Sequence, residues 1–288
     1  MSTSAKIGIV EKDLNTSFTN YINNNFTVEH LSKYTLDTEA FINNIDILFI
    51  HYYNSFFNNI IEQSIKSSKH IYIHHFDIHD LQLIHFWLQL SFESQSYVHI
   101  GTQPYYYNFY KLLKQHITSP KYIEINNLHN SSDFLICNLM QHDISFVQHI
   151  IQADLKNVSV GGLTKVEKNP DIANARLEYN NACTANLTVS KIALHQEYSI
   201  TIFQKENTIK VDFNKRKIEI TSQGNKSTIA INKADEQLQL VENLSHFIVN
   251  AKQKSVWYNS LDIYYENLQI ALDISHKIER MSGFLISR

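Results

Sequence analysis

Short apolar runs alternate with amphipathic stretches in the first half of the chain. Runs of strand length occur at Lys6–Val10, Phe26–Val28, Ile45–Ile50, Lys69–His74 and Tyr97–Ile100. Segments with helical spacing lie between them, around Asp37–Asn43, Phe56–Ser67 and Leu81–Phe92. Because strands that alternate with helices at this spacing are typical of βα units, the pattern predicts a doubly wound parallel sheet.

The second half has a different pattern. Phe134–Ala153 has the apolar stripe of a long amphipathic helix, and period-two segments follow at Leu155–Leu163, Ser199–Phe203, Thr208–Phe213 and Lys217–Thr221. Two more helices are predicted at Leu238–Ala251 and Leu261–Arg280. This half is therefore predicted to be an α+β domain with an open, mostly antiparallel sheet. The expected domains are residues 1–118 and 119–288.

The segment Ala175–Lys191, ARLEYNNACTANLTVSK, alternates apolar and polar residues on both sides of Asn180-Asn181. This pattern predicts a strand, a tight turn and a returning strand. One face of the hairpin would hold the apolar side chains Ala175, Leu177, Tyr179, Ala185, Leu187 and Val189. The other face would be polar, with Arg176, Glu178 and Asn186. A hairpin of this kind is half-buried, and its pattern alone specifies no activity.

Composition excludes several classes of function. Hydrophobic residues make up 43% of the 288 positions, and the net charge of −3 offers no broad attraction to nucleic acid or to an anionic membrane. No apolar run approaches the ~18 residues needed to span a bilayer. Two cysteines make no disulfide framework, and no signal peptide precedes the first strand, so we expect a cytoplasmic protein. Six glycines are few for a nucleotide-binding protein.

The amino-acid sequence of Ala175–Lys191 closely resembles that of the sheet hairpin of the Gfo/Idh/MocA oxidoreductases, which is typically ARLxFxNGxxANLTASR. The resemblance continues into Ile202–Lys205 and Val211–Phe213. The members most similar are the UDP-N-acetylhexosamine dehydrogenase-like enzymes. The resemblance implies a Rossmann-like N-terminal domain, an NAD(P) cofactor and a sugar or sugar-nucleotide ligand. It also implies a homo-oligomer that associates through the sheet containing this hairpin.

The cofactor fingerprint that the family carries after its first strand is replaced. When G-x-G-x-x-G is aligned on Ile7–Val10, the three glycine positions hold Glu11, Asp13 and Thr16. Two of these are carboxylates, whose charge would repel a pyrophosphate at a helix N-terminus. We therefore expect the cofactor-binding role of these positions to be lost.

Positions at later strand ends also depart from the family. The family's E-K-P motif, whose lysine binds the substrate hydroxyl and assists proton transfer, corresponds to His74, His75 and Phe76. His75 therefore takes the lysine position. Tyr52, Phe76 and Tyr105 replace smaller or cationic residues, and we expect them to fill part of the nicotinamide cleft.

The helix at Phe134–Ala153 resembles the family's substrate-site helix, D-x-x-x-H-D. Its positions hold Asn138, His142 and Asp143, and a spacing of four residues places Asn138 and His142 on one helix face. The resemblance makes His142 a ligand-contacting residue. Asn138 can hold a hydroxyl group but cannot act as a base. The alternative is a polar patch on a helix surface.

A metal site is not predicted. The candidate ligands cluster along one stretch of sequence: His70, His74, His75, His79, Asp80 and His85. Their spacing matches no zinc motif, and no cysteine accompanies them.

Two hypotheses follow. The first is a pseudoenzyme of sugar metabolism that keeps the two-domain scaffold, lacks ordinary NAD(P)-dependent turnover and acts as a binding or assembly partner without a cofactor. The second is an active NAD(P)-dependent oxidoreductase on a sugar or sugar nucleotide, with His75 and His142 as an acid-base pair.

Overall fold

The computed structural model describes residues 5–10, 26–30, 37–76, 80–101, 110, 112–131, 135–165, 169–231, 236–253 and 260–286. The chain forms two compact units. The first combines Met1–Asn108 with Ala234–Tyr265, and the second combines Phe109–Lys233 with Glu266–Arg288.

The first unit contains a five-stranded parallel sheet. Its strands are β1 (Lys6–Ile9), β2 (Thr27–His30), β3 (Ile47–Tyr52), β4 (His70–His75) and β5 (Val98–Ile100). They are ordered β2-β1-β3-β4-β5, so the order reverses between β1 and β3. This is the predicted doubly wound, Rossmann-like sheet.

Among the described residues, three α-helices connect these strands: α1 (Thr38–Asn43), α2 (Asn58–Lys66) and α3 (Leu81–Ser94). Side-chain caps fix where two of them begin. Asp37 Oδ1 accepts a hydrogen bond from the Ala40 backbone N–H, and Asp80 Oδ1 accepts from those of Gln82 and Leu83. Caps of this kind satisfy backbone donors that have no partner within the helix.

The second unit is built on an eight-stranded sheet ordered β13-β12-β11-β10-β6-β9-β8-β7. Its strands are β6 (Pro120–Asn130), β7 (Leu155–Leu163), β8 (Ile172–Tyr179), β9 (Thr184–Ser190), β10 (Ile192–Gln204), β11 (Thr208–Asp212), β12 (Lys217–Ser222) and β13 (Asn225–Ala230). β6 and β9 pair in parallel, and the other neighbours pair antiparallel. The predicted open, mostly antiparallel sheet is thus confirmed. Helix α4 (Ile136–Ile151) packs against β6 and β9.

The hairpin predicted at Ala175–Lys191 is formed by β8 and β9. Ala175 pairs with Leu187 and Leu177 with Ala185, which places all four side chains on one fully buried face. Within the turn, Ala182 has a positive φ of 63°. Asn181 holds the turn, since its Oδ1 accepts from the Cys183 backbone N–H at 3.0 Å.

Two helices complete the chain, α5 (Glu236–Gln253) and α6 (Leu261–Ile286). Leu240, Leu244 and Phe247 of α5 pack in the core of the first unit with Ile7 and Phe49. The expected division at residue 118 placed α5 in the second domain, whereas its apolar face lies in the first unit. Among the described residues, no helix is both long and apolar enough to cross a membrane.

Candidate functional site

The carboxyl ends of β3 and β4 bring three histidines together. Ligands of open parallel sheets bind at this edge. Ile50 pairs with Ile73 and Tyr52 with His75, so His51 and His74 occupy neighbouring positions on adjacent strands. We call His51, His74 and His75 the histidine cluster.

Each histidine in the cluster contributes one ring nitrogen, and these three nitrogens all lie within 4.8 Å of one another. The rings of His51 and His74 are stacked, with centroids 5.3 Å apart and planes 5° from parallel. The His75 ring lies edge-on to both, at 4.3 Å from His74 and 5.3 Å from His51. The cluster therefore gathers three imidazoles around one point at the sheet edge.

His74 is the buried member of the cluster. Its side chain is 4% exposed, and its Nδ1 has no hydrogen-bond partner among the described residues. Burial, followed by the positive charges that His75, His51 and His99 would carry, lowers the pKa of His74 to about 2. His74 is therefore neutral at physiological pH and keeps an unprotonated ring nitrogen.

Gly101, after β5, allows this packing. A Cβ at that position would come within 2.6 Å of the His74 carbonyl oxygen and 3.0 Å of its Nδ1. His99, also on β5, is fully buried, and burial lowers the pKa of its imidazole to about 3. The sheet edge is thus closely packed at His74, and both His74 and His99 are neutral at physiological pH.

Aromatic side chains flank the cluster. The exposed Tyr52 ring stacks on His75, with centroids 4.3 Å apart. Phe76 is buried and packs against Tyr53, Trp87 and Tyr264 within the first unit. Of the three aromatic residues expected in the nicotinamide cleft, Tyr52 covers a histidine and Phe76 joins an interior aromatic group. Tyr105 lies outside the described residues.

The positions of the replaced glycine fingerprint, Glu11, Asp13 and Thr16, also lie outside the described residues. The first unit also has a cleft of about 660 Å³. It is lined by the second half of α3, by Tyr97 and Val98 at the amino end of β5, and by the start of α6. We assign no role to it, because ligands of such sheets bind at the carboxyl ends.

The second unit contains the helix with Asn138 and His142. Both are half-buried and lie one turn apart on the same face of α4, as predicted. Asn138 Oδ1 accepts a hydrogen bond from the Cys137 thiol at 3.5 Å. His75 belongs to the first unit and His142 to the second.

Asp143, next to His142, is completely buried and hydrogen-bonded. Asn127 Nδ2 donates to its Oδ2 at 3.1 Å, and the Tyr198 hydroxyl donates to its Oδ1 at 3.2 Å. His129 Nε2 lies 2.8 Å from Asn127 Oδ1 and extends the chain of contacts. Burial raises the pKa of Asp143 to about 7, although both hydrogen bonds lower it. We call Asp143, Asn127, Tyr198 and His129 the Asp143 network.

Sequence reasoning missed members of both groups. It considered His74 and His75 as ligands only with neighbours along the chain, whereas the third member, His51, comes from the adjacent strand. The usable signal was that β3 and β4 both carry histidine within their last two residues, since the carboxyl ends of neighbouring parallel strands meet at one sheet edge. His70, by contrast, is at the opposite end of β4, where its Nδ1 accepts from the Tyr97 backbone N–H. No sequence signal linked Asn127 and Tyr198 to Asp143.

No protein-family model and no curated protein matches the sequence. Solved structures do match. UDP-N-acetylglucosamine 3-dehydrogenase GnnA from Acidithiobacillus ferrooxidans is 17% identical, with a TM-score of 0.77 over 96% of this chain and 98% of that one. The dehydrogenase MviM from Clostridium difficile is 15% identical, with a TM-score of 0.70 over 94% and 98% of the two chains.

A third match is an oxidoreductase from Agrobacterium radiobacter, solved in complex with NAD⁺, L-tartaric acid and magnesium. It is 11% identical, with a TM-score of 0.72 over 96% of this chain and 97% of that one. Matches of this extent cover both units. Across its whole length, therefore, the chain has the fold of the Gfo/Idh/MocA-type dehydrogenases.

Proposed function

We propose that this protein uses an oxidoreductase fold for binding, as a ligand-binding or assembly partner, and does not carry out ordinary NAD(P)-dependent turnover. The observation that carries the proposal is the histidine cluster at the carboxyl ends of β3 and β4. The resemblance places a catalytic lysine at the position of His75.

A lysine at this position would supply a positive charge and a flexible donor that reaches a substrate hydroxyl. His75 is shorter, and its ring is held among the rings of Tyr52, His51 and His74. The neighbouring His74 is neutral because burial lowers its pKa to about 2. These side chains do not fit the role that the lysine has in the family, which supports the loss of ordinary turnover.

The sequence of the first loop supports the same conclusion. Glu11 and Asp13 stand where the family has glycines that approach a pyrophosphate. Carboxylates there would add repulsion and remove the close approach of backbone to phosphate. We therefore propose that no dinucleotide cofactor is bound.

Binding is proposed for the second unit. A half-buried histidine and amide, His142 and Asn138, share one face of α4, and groups of this type hydrogen-bond sugar hydroxyls. We propose a sugar or sugar nucleotide as the ligand. We also propose a homo-oligomer that associates through the sheet face of Ala175–Lys191, whose polar side consists of exposed or half-exposed side chains such as Arg176 and Glu178.

A second candidate is an active NAD(P)-dependent oxidoreductase with His75 and His142 as its acid-base pair. It is favoured by the likeness to an oxidoreductase whose structure contains NAD⁺. Histidine also titrates close to neutral pH, as an acid-base residue must.

A thermal-shift experiment with NAD⁺, NADH, NADP⁺ and NADPH separates the two candidates. The Agrobacterium radiobacter oxidoreductase, which was solved in complex with NAD⁺, is the positive control. A ligand that binds only the native state raises the unfolding midpoint by mass action. We expect none of the four dinucleotides to shift the midpoint of this protein at concentrations that shift the control. A shift that His75→Gln and His142→Gln leave intact, together with turnover that both remove, would establish the second candidate.

A further inference from the structure

We propose that the histidine cluster binds a borderline divalent transition-metal ion such as Zn²⁺, through one ring nitrogen each of His51, His74 and His75. No such site was expected from the spacing of histidines along the chain. The site goes beyond the proposed function and does not depend on whether a dinucleotide is bound.

The geometry comes from strand register. His51 and His74 occupy neighbouring positions on β3 and β4, and His75 follows directly at the end of β4. Their nitrogens lie within 4.8 Å of one another. Three nitrogens on a tetrahedral zinc ion, each ~2.0–2.1 Å from the metal, would be about 3.3–3.4 Å apart. Side-chain rotation of the two half-buried members, His51 and His75, can bring the three nitrogens, which lie within 4.8 Å of one another, to this shorter separation.

The buried member of the cluster is already fixed. His74 is 4% exposed, and the backbone of Gly101 packs against it. Its Nδ1 has no hydrogen-bond partner among the residues that the structure describes. Buried polar atoms in native proteins are nearly always paired, so one that is unpaired in a histidine cluster points to a partner of another kind. A metal ligand commonly uses its second ring nitrogen for an orienting hydrogen bond, and either ring nitrogen of His74 can take either role.

The donor set selects the class of metal. Imidazole nitrogen suits Zn²⁺, Ni²⁺ and Cu²⁺, whereas Mg²⁺ and Ca²⁺ require oxygen ligands. Three protein ligands leave one position of a tetrahedral ion open, as in sites where a water or a ligand atom is held by the metal. His51 and His75 are half-buried, so that open position faces the accessible side of the cluster.

The competing explanation is that the three rings are simply an aromatic stack. Phe49, Tyr72 and His51 do stack in this region, and Tyr52 stacks on His75. Phenylalanine substitutions separate the two explanations, because a phenyl ring keeps the stacking surface and removes the ligand nitrogen. If the cluster is only a stack, His51→Phe and His75→Phe will not affect metal affinity.

The experiment is a calorimetric titration of the untagged, chelator-treated full chain with Zn²⁺. We expect one saturable site per chain, at least about tenfold weaker in His51→Phe and in His75→Phe and lost in the double variant. His85→Gln is the matched control, because His85 lies in the same unit, is exposed and is outside the cluster. Mg²⁺ should produce no saturable heat.

A wild-type chain without a saturable Zn²⁺ site would overturn the proposal, as would a double variant that binds with unchanged affinity. Circular dichroism and the thermal midpoint establish that each variant is folded. If a variant does not fold, the visible spectrum of the wild-type chain with Co²⁺ decides, since a four-coordinate Co²⁺ ion absorbs far more strongly than the six-coordinate hydrated ion. A dinucleotide titration of the same samples tests the proposed function separately, because either result there leaves the metal result unchanged.

Discussion

Two buried polar side chains, Asp143 of the second unit and His74 of the first, differ in how they are paired. In the second unit, each oxygen of the Asp143 carboxylate accepts a hydrogen bond, one from Asn127 and one from Tyr198. In the first unit, Nδ1 of the buried His74 has no such partner among the described residues. An unpaired buried polar atom costs about 1–3 kcal/mol. We therefore interpret the Asp143 network as structural, and this difference supports the proposal that the histidine cluster binds a ligand.

The largest expected effect is that of Asp143→Asn on the pH dependence of stability. Burial raises the pKa of Asp143 from 3.8 to about 7 in the native state. Between these values the native state keeps a proton that the unfolded state has lost, so stability is greatest below the unfolded pKa and declines as pH rises to about 7. An amide can keep both hydrogen bonds, because its oxygen accepts from Asn127 and its nitrogen donates to the Tyr198 oxygen. Three pKa units at about 1.4 kcal/mol each give an upper limit of roughly 4 kcal/mol for the change in unfolding free energy that this shift causes.

We therefore expect Asp143→Asn to be more stable than wild type above about pH 7 and to lose that advantage as pH falls towards 4. Urea unfolding of both proteins across this range measures the difference, in which contributions of other ionisable groups cancel. A difference that is constant with pH would contradict the structural interpretation of Asp143.

The next effect concerns Gly101→Ala. The added Cβ would meet the His74 backbone at 2.6 Å, so the substitution forces β4 and β5 apart. Overpacking of this kind costs about 1–3 kcal/mol. We also expect Zn²⁺ affinity to fall, since His74 moves. Gly161→Ala in β7 is the control, because nothing lies within 4 Å of its Cβ position. Equal unfolding midpoints for the two variants would show that Gly101 does not hold His74.

Tyr198→Phe tests one contact of the Asp143 network. The variant keeps the ring that stacks on Phe213 at 4.2 Å and removes the hydroxyl that donates to Asp143. Loss of one hydrogen bond should cost about 0.5–1.5 kcal/mol, and more when the carboxylate is ionised. Because that bond lowers the pKa of Asp143, the pKa should rise further in the variant. Urea unfolding at low and high pH measures the loss in unfolding free energy. The pH at which the difference between wild type and variant changes reports the shift in the pKa of Asp143.

The smallest effect on folding is expected for Arg176→Glu, on the polar face of the β8–β9 hairpin. Arg176 Nε lies 3.1 Å from Glu178 Oε1, and the two side chains are 46% and 38% exposed. Exposed pairs of this type contribute little to stability, so the thermal midpoint should not change. If subunits meet through this face, sedimentation velocity should instead show weaker association. Lys215→Glu, a charge reversal at the turn between β11 and β12, is the control.

The sequence was sufficient to predict the elements whose apolar pattern is strong. Runs such as Ile47–Ile50 are buried on both faces, and the alternation around Ala175 and Leu187 sets the register of the hairpin. β13 was not predicted, because NKSTIA is exposed almost throughout and has no apolar face. The placement of α5 in the first unit was not predicted either, because the apolar face of a helix does not specify which sheet the helix packs against.

The candidate sites were harder to predict for the same reason. Asn138 and His142 were placed together because one helix carries both. The partnership of His51 with His74, and of Asp143 with Asn127 and Tyr198, depends on which strands are neighbours. Strand order is set by packing of the whole unit, and local sequence does not specify it.

Calorimetric titration of the chain with NADH and NADPH, in metal-free and Zn²⁺-loaded forms, tests the central claim most directly. If the fold has been kept while the cofactor site has been replaced, neither dinucleotide will give saturable heat in either form, although Zn²⁺ does. One-to-one dinucleotide binding at micromolar concentration in either form would contradict the claim and favour an active oxidoreductase.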